Sequence, residues 1–341
     1  MRVGIDVAFV AEISANHLGS FENAKDLVRA AHDSGANFVK FQTYKPEFMT
    51  LKELDHSVSQ EHILWGGKSL YDLYAEAMTP WEWHEELFHL ARELGLQPFS
   101  SPFNRDAVDF LERLDCPIYK IASLETGDVD LIAYAASTGK PLIISTGATE
   151  LSEIEMVVTT ARENGASTLT LLVCTSSYPA DPKDSHIRRI QTLKNEFGTD
   201  VGISDHTLGI GVSVAAIALG ATVVEKHLTL SRDLGGHDSA FSLEPDEFAS
   251  LVREGRKASQ ALGEPRWNIQ PSEAESRRLR RSLYITKDVK KGELATRENI
   301  KALRPNLGGS ILHLEQIVGR RFKEDFKAGH PASLDIVQGQ T

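Results

Sequence analysis

From residue 7 to about 262, short apolar runs rich in β-forming residues alternate with stretches whose apolar positions recur at helical spacing. This is the pattern of successive βα units around a parallel sheet. Eight runs stand out: 7–13 (VAFVAEI), 37–43 (NFVKFQT), 97–102 (QPFSSP), 118–123 (IYKIAS), 141–146 (PLIIST), 169–175 (LTLLVCT), 201–206 (VGISDH) and 222–227 (TVVEKH). That number of units in about 250 residues predicts a closed (β/α)8 TIM barrel over residues 1–262, in preference to a doubly wound open sheet. Between the fifth and sixth runs a helix is expected to open on a capping box of Ser152 and Glu155, to bury Ile154, Val157, Val158 and Ala161, and to stop at Gly165. Two connections, 44–79 and 230–243, are longer than a barrel needs, and Trp65, Tyr71 and Tyr74 in the first point to an ordered lid.

The periodicity ends at residue 262, and the polar, Arg-rich segment 263–280 reads as a linker to a small domain over 281–341. Within that domain 285–300 and 322–337 align as an internal repeat, matching Asp288 with Asp325, Lys290 with Lys327 and Gly292 with Gly329.

Composition narrows the class of function. A net charge of −11 over 341 residues leaves no basic footprint for nucleic acid or an anionic membrane, so an anionic substrate must be drawn by local groups. Cys116 and Cys174 are the only cysteines and form neither a disulfide framework nor a metal motif, which fits the reducing cytoplasm. No segment approaches the ~18–20 apolar residues of a membrane span.

Barrel active sites lie at the C-terminal ends of the strands, and nearly every polar residue of the eight runs is found there. In order these are Glu12 with Asn16 and His17, Lys40 and Gln42, Ser100 and Ser101, Lys120 with Ser123 and Glu125, Ser145 and Thr146, Thr175 to Tyr178, Ser204 to His206, and Glu225 to His227. A barrel core alone would be apolar at these positions, because an unpartnered buried charge costs several kcal/mol. Lys40 and Lys120 with the hydroxyls of Ser101, Ser123, Ser145 and Ser204 suit a small phosphorylated anion such as phosphoenolpyruvate. His206 and His227 end adjacent strands and can present two imidazoles to a divalent metal acting as a Lewis acid. Glu12, as the leading candidate, and Glu125 are the carboxylates for water activation, with salt bridging to Lys40 or Lys120 as their structural role.

The ordered motifs AEISANHLGS, VKFQTY, FSSPF, IISTG, CTSSYPA, GISDHTLGIG and EKHLTLSR resemble the sialic acid synthase family across essentially the whole chain, ending in a domain similar to type III antifreeze protein, the SAF β-clip. Segments 64–84 and 235–245 look like the branch that makes pseudaminic acid. The resemblance implies a transferase that condenses phosphoenolpyruvate with 2,4-diacetamido-2,4,6-trideoxy-L-altrose and water, releasing phosphate, with N-acetylneuraminate or legionaminate synthesis as alternatives. It implies that His206 and His227 hold Mn, Mg or Co, and that phosphoenolpyruvate meets Lys40, Ser101, Lys120, Ser123, Ser145, Ser176 and Ser204. Glu12, Gln42 and Asp238 would lie near the reacting centre or sugar, and Asn16, Tyr178 and Asp205 are further candidate substrate contacts at the same mouth. A domain-swapped homodimer would bring Arg304 to the sugar amide, although Asn306 stands where the family commonly has Gly and brings a different φ preference. A non-catalytic carbohydrate-binding protein of surface assembly, with an inert barrel, is the reading from another class.

Overall fold

A computed structural model describes residues 7–54, 57 and 66–339. The chain divides into two compact units, Met1–Gly263 and Glu264–Thr341.

The first unit is a closed barrel of eight parallel strands: β1 (Ala8–Glu12), β2 (Phe38–Thr43), β3 (Gln97–Pro102), β4 (Tyr119–Ile121), β5 (Leu142–Ser145), β6 (Leu169–Cys174), β7 (Asp200–Ser204) and β8 (Val223–His227). Each strand pairs with its sequence neighbours, and β8 closes on β1 with Glu12 opposite His227. Outward-facing residues such as Phe9, Val39 and Phe41 pack with helix residues such as Leu27, Val28 and Phe88 into one core. Near the N-terminal end of β7 closure requires glycine: a Cβ on Gly202 would lie 2.3 Å from the Val223 carbonyl oxygen.

The helix after β5 runs Leu151–Glu163 and buries Ile154, Val157, Val158 and Ala161, with Gly165 beyond it at φ +99°. Its start differs from expectation. Glu150 is the cap and its N–H donates to Glu153 Oε2 at 2.7 Å, so Ser152 lies inside the first turn. Two glutamates make the reciprocal contacts usually assigned to a Ser–Glu pair.

In the long connection after β2, helices Pro46–Met49 and Leu70–Ala77 are ordered, and Tyr74 packs edge-on against Tyr44 at 5.9 Å. Tyr71 is half-buried in the second helix, whereas Trp65 lies outside the described residues. No helix among the described residues is long and apolar enough to cross a membrane.

The segment read as a linker is exposed throughout but contains a short helix, Ala274–Arg278. Beyond it, β9 (Ser282–Ile285) and β10 (Ile300–Leu303) pair antiparallel over a core that includes Leu283, Ile285, Ile300 and Phe322. The internal repeat forms reciprocal contacts. Lys290 pairs with Asp325 at 2.7 Å and Lys327 with Asp288 at 2.6 Å, on either side of a Val289–Phe326 bridge. Gly292 and Gly329 sit at matching turns with φ +82° and +88°.

Candidate active site

Strand alternation decides what faces the barrel axis, and the inward positions near the strand ends carry Glu12, Lys40, Gln42, Ser101, Lys120, Ser145, Ser204, Glu225 and His227. Lys40 Nζ bridges Glu12 Oε2 at 2.8 Å and Glu225 Oε1 at 2.9 Å. Ser204 Oγ donates to the same Glu225 oxygen at 3.0 Å, and Glu12 Oε1 accepts the Ser14 N–H at 2.7 Å. Burial by itself would lower Lys40, but Glu12 and Glu225 override it and hold the ammonium above its usual range. Burial would likewise raise Glu225, yet Lys40 and Lys120 bring it down to about 2.

Lys120 is held differently. Its Nζ donates to the Ile121 carbonyl at 2.9 Å, and burial lowers it to about 8 despite Glu225. A bound anion would restore its full charge. On the flanking strands, Ser101 Oγ and Ser145 Oγ are buried without a hydrogen-bond partner. Such a hydroxyl costs about 1–3 kcal/mol until a ligand satisfies it. Ser123 Oγ accepts the Gly147 N–H at 3.1 Å. A Cβ on Gly147 would lie 2.4 Å from Ser176 Oγ and 2.8 Å from Ser123 Oγ, so only glycine leaves that cradle of hydroxyls open.

The rings of His206 and His227 are 5.3 Å apart. His206 Nδ1 lies 3.0 Å from the Thr175 carbonyl oxygen, which keeps a proton on that nitrogen. His227 Nδ1 makes no hydrogen bond and lies 3.4 Å from Asp238 Oδ2. Burial, then His206, drives His227 well below its usual value, so it is a neutral imidazole. Among the described residues no cluster of three or more His, Cys, Asp or Glu side chains is disposed to hold a metal. Two imidazoles with ring centres 5.3 Å apart are the donors this mouth offers a cation, whose other positions would fall to substrate and water.

A cavity of about 260 Å³ is lined on its polar side by Gln42, Ser123, Glu125, Tyr178, His227, His237 and Asp238. Its apolar side is formed by Met49, Leu70, Leu73, Phe103 and Leu124. Burial pushes Glu125 up to about 7, with Lys120 opposing only in part. Asp238 also reaches about 7, through burial and then the charge of Glu12. His237 Nε2 lies 3.4 Å from Glu76 Oε2 and connects the loop after β8 to the lid helix.

Residues 27–266 match the NeuB family. The chain belongs to the NeuB family. Residues 280–337 match the SAF domain. Among NeuB relatives, the pseudaminic acid synthase of Helicobacter pylori is 43% identical over 330 residues, 96% of this chain and 97% of that protein. The N,N'-diacetyllegionaminic acid synthase of Legionella pneumophila is 36% identical over 325 residues, 94% and 91% of the two chains. The crystal structure of N-acetylneuraminic acid synthetase from Leptospira borgpetersenii in complex with citrate superposes with a TM-score of 0.71 at 31% identity, covering 79% of this chain and 90% of that one.

Within this NeuB barrel the expected residues are not all in one place. Gln42, Ser123, Glu125, Tyr178, His227 and Asp238 line the cavity, whereas Glu12, Lys40 and Ser204 belong to the buried network with Glu225. One expectation needs correction. Asp205 is no substrate contact: its carboxylate is fully engaged by Thr207, Ser213 and Lys226. Asn16 commits its amide nitrogen to the Leu228 carbonyl and Ser242 Oγ, both at 2.9 Å, and so clasps the loops after β1 and β8 together, while its Oδ1 is buried without a hydrogen-bond partner. Arg304 is exposed in the second unit. Ser282 Oγ and Tyr284 Oη donate to the Pro305 carbonyl and hold its loop, and Asn306 stays out of the left-handed region, so the replacement of glycine introduces no strain.

Sequence reasoning gave no role to Glu225 or Gly147. Glu225 was visible as a charged residue in a strand, but its partner Lys40 is 185 residues away. Gly147 was visible only as the end of IISTG.

Proposed function

We propose that this protein is a pseudaminic acid synthase, condensing phosphoenolpyruvate with 2,4-diacetamido-2,4,6-trideoxy-L-altrose and water. The observation that carries this reading is a buried Lys40–Lys120 floor with unpartnered Ser101 and Ser145, in a barrel whose cavity is lined by a near-neutral Glu125 and an apolar lid. The apolar lining, Met49, Leu70 and Leu73 of the lid with Phe103 after β3, suits a sugar carrying a 6-methyl and two acetamido methyls better than one with a hydroxyl at C6. Kinship to synthases of this reaction class over nearly the full chain supports the same assignment.

The residues have distinct parts in the proposed reaction. Lys120, Ser101 and Ser145 bind the anionic groups of phosphoenolpyruvate, and the Ser123–Gly147–Ser176 cradle receives its phosphate. A divalent cation (Mn, Mg or Co) held by His206 and His227 would polarise the sugar aldehyde oxygen. The methylene carbon of phosphoenolpyruvate attacks the aldehyde carbon, whose oxygen takes up a proton from water. Cationic character then develops at the enol carbon. Water adds there and gives its proton to the Glu125 carboxylate, which sits on the cavity wall with a pKa matched to the task. Glu12, paired with Lys40 and absent from the lining, orients that lysine instead. The hemiketal phosphate breaks its C–O bond as its hydroxyl oxygen closes to the keto carbonyl and passes its proton to the departing phosphate, which leaves with the bonding pair while the lysines stabilise its charge.

A cytoplasmic homodimer completes the proposal. Both cysteines are buried and free, as a reducing compartment allows. Leu18, Leu51, Leu124, Leu208 and Leu234 are exposed on the loops after five different strands, and Leu307 and Leu312 are exposed in the second unit. In the swapped dimer, Arg304 of the partner subunit reaches the sugar amide. The test is a phosphate-release assay with the altrose and Mn2+: release abolished by chelator supports the reaction, and no release under any metal rejects it.

A further inference from the structure

Asp205 and Lys226 immediately precede His206 and His227, and alternation directs their side chains to the opposite side of the barrel wall from the imidazoles. There they meet. Lys226 Nζ lies 2.9 Å from Asp205 Oδ2, with the two side chains 0% and 1% exposed. Lys226 also donates to the Thr207 carbonyl at 2.6 Å. Asp205 Oδ1 accepts from Thr207 N at 2.9 Å and Thr207 Oγ1 at 2.7 Å, and Oδ2 accepts from Ser213 Oγ at 2.6 Å. Each carboxylate oxygen thus has two donors.

A buried pair of this kind contributes little to net stability compared with apolar side chains of the same volume. Its placement suggests another purpose. The backbone ladder between β7 and β8 reaches its last register at Ser204 and Glu225, followed by one bond from Asp205 N to Glu225 O at 3.0 Å. Beyond that point, among the described residues, backbone bonds lead away from this strand pair: Ala180 N donates to the His206 carbonyl and Leu243 N to that of His227. The side-chain pair is what joins the two strand ends at the level of the histidines.

We infer that Asp205 and Lys226 are positioning residues that set the separation of the two imidazoles from behind the barrel wall; the inference rests on the reading that His206 and His227 hold a divalent cation. Ser213 extends the tie to the helix Gly211–Ala218, so the ligand spacing is referred to the outer helical layer. Groups that orient ligands from behind typically govern metal affinity by about 10–100-fold when removed.

The experiment is Mn2+ titration calorimetry on the full chain, for wild type, the Asp205→Asn/Lys226→Met double variant, Ser213→Ala and His206→Ala. The double variant replaces both charges at similar volume; it is expected to melt within a few degrees of wild type, to bind Mn2+ about 10–100-fold more weakly, and to bind phosphoenolpyruvate unchanged. Ser213→Ala, which keeps the Asp205–Lys226 pair and serves where the double variant fails to fold, is expected to weaken Mn2+ measurably but by less than the double variant. Wild-type Mn2+ affinity in either folded variant overturns the positioning role while leaving the metal reading intact. Failure of wild type to bind Mn2+, or equal binding by His206→Ala, overturns the metal reading and this inference with it.

Discussion

A carboxyl held near pH 7 inside a cavity weakens the fold whenever it ionises. Glu125 binds its proton more tightly folded, at about 7, than at its ordinary value of 4.5. Its stabilisation is therefore complete below pH 4.5 and lost as pH rises through 7. Glu125→Gln should melt above wild type at pH 8, with the gap closing by pH 5, while kcat falls about 100-fold or more. Calorimetric melts at the two pH values and initial rates check both halves. Glu225 has the opposite sign: depressed to about 2, it stabilises the fold above pH 4.5, and that contribution disappears as pH falls through 2. Glu225→Gln removes one of the two carboxylates on Lys40 and should lose about 3–5 kcal/mol in urea unfolding at pH 7. At this scale the sequence revealed which residues are polar where a core should be apolar, and so marked Lys40, Lys120, His206 and His227. It did not reveal partners. Whether Glu12 or Glu125 faces the cavity, and whether Asp205 faces substrate or Lys226, depends on contacts made only when distant strands close.

The eight strands were legible to within two residues because parallel strands buried on both faces read as apolar runs bounded by polar turns. Helix starts were less so, since a Glu150–Glu153 box does the work expected of Ser152. The lid was visible as excess length and aromatic content, and Tyr74 does line the cavity, but Met49, Leu70 and Leu73 line it too and read in the sequence as ordinary helix residues. The loop after β5 depends on a single glycine. Gly147→Ala should crowd Ser123 and Ser176, raise KM for phosphoenolpyruvate at least about tenfold, and leave the melting temperature within a few degrees. Steady-state kinetics against a melt distinguishes this from general misfolding.

The second unit repeats one structural idea twice, and the match of Asp288, Lys290 and Gly292 to Asp325, Lys327 and Gly329 was readable because each copy's lysine needs the other copy's aspartate. In the proposed swapped dimer the second unit supplies Arg304 to the partner's barrel. Arg304→Ala and Lys120→Ala should each be inactive alone, yet mixing and re-equilibrating them should restore roughly a quarter of wild-type activity, because one site in each mixed dimer has both residues. No recovery on mixing contradicts a swapped arrangement. The account as a whole turns on the sugar. Purified protein with phosphoenolpyruvate and Mn2+ should be offered 2,4-diacetamido-2,4,6-trideoxy-L-altrose, the legionaminic acid precursor and N-acetylmannosamine in parallel, with kcat/KM read from phosphate release. The altrose is expected to exceed both others by at least about 100-fold; an equal or higher value for N-acetylmannosamine would contradict the apolar-lid assignment.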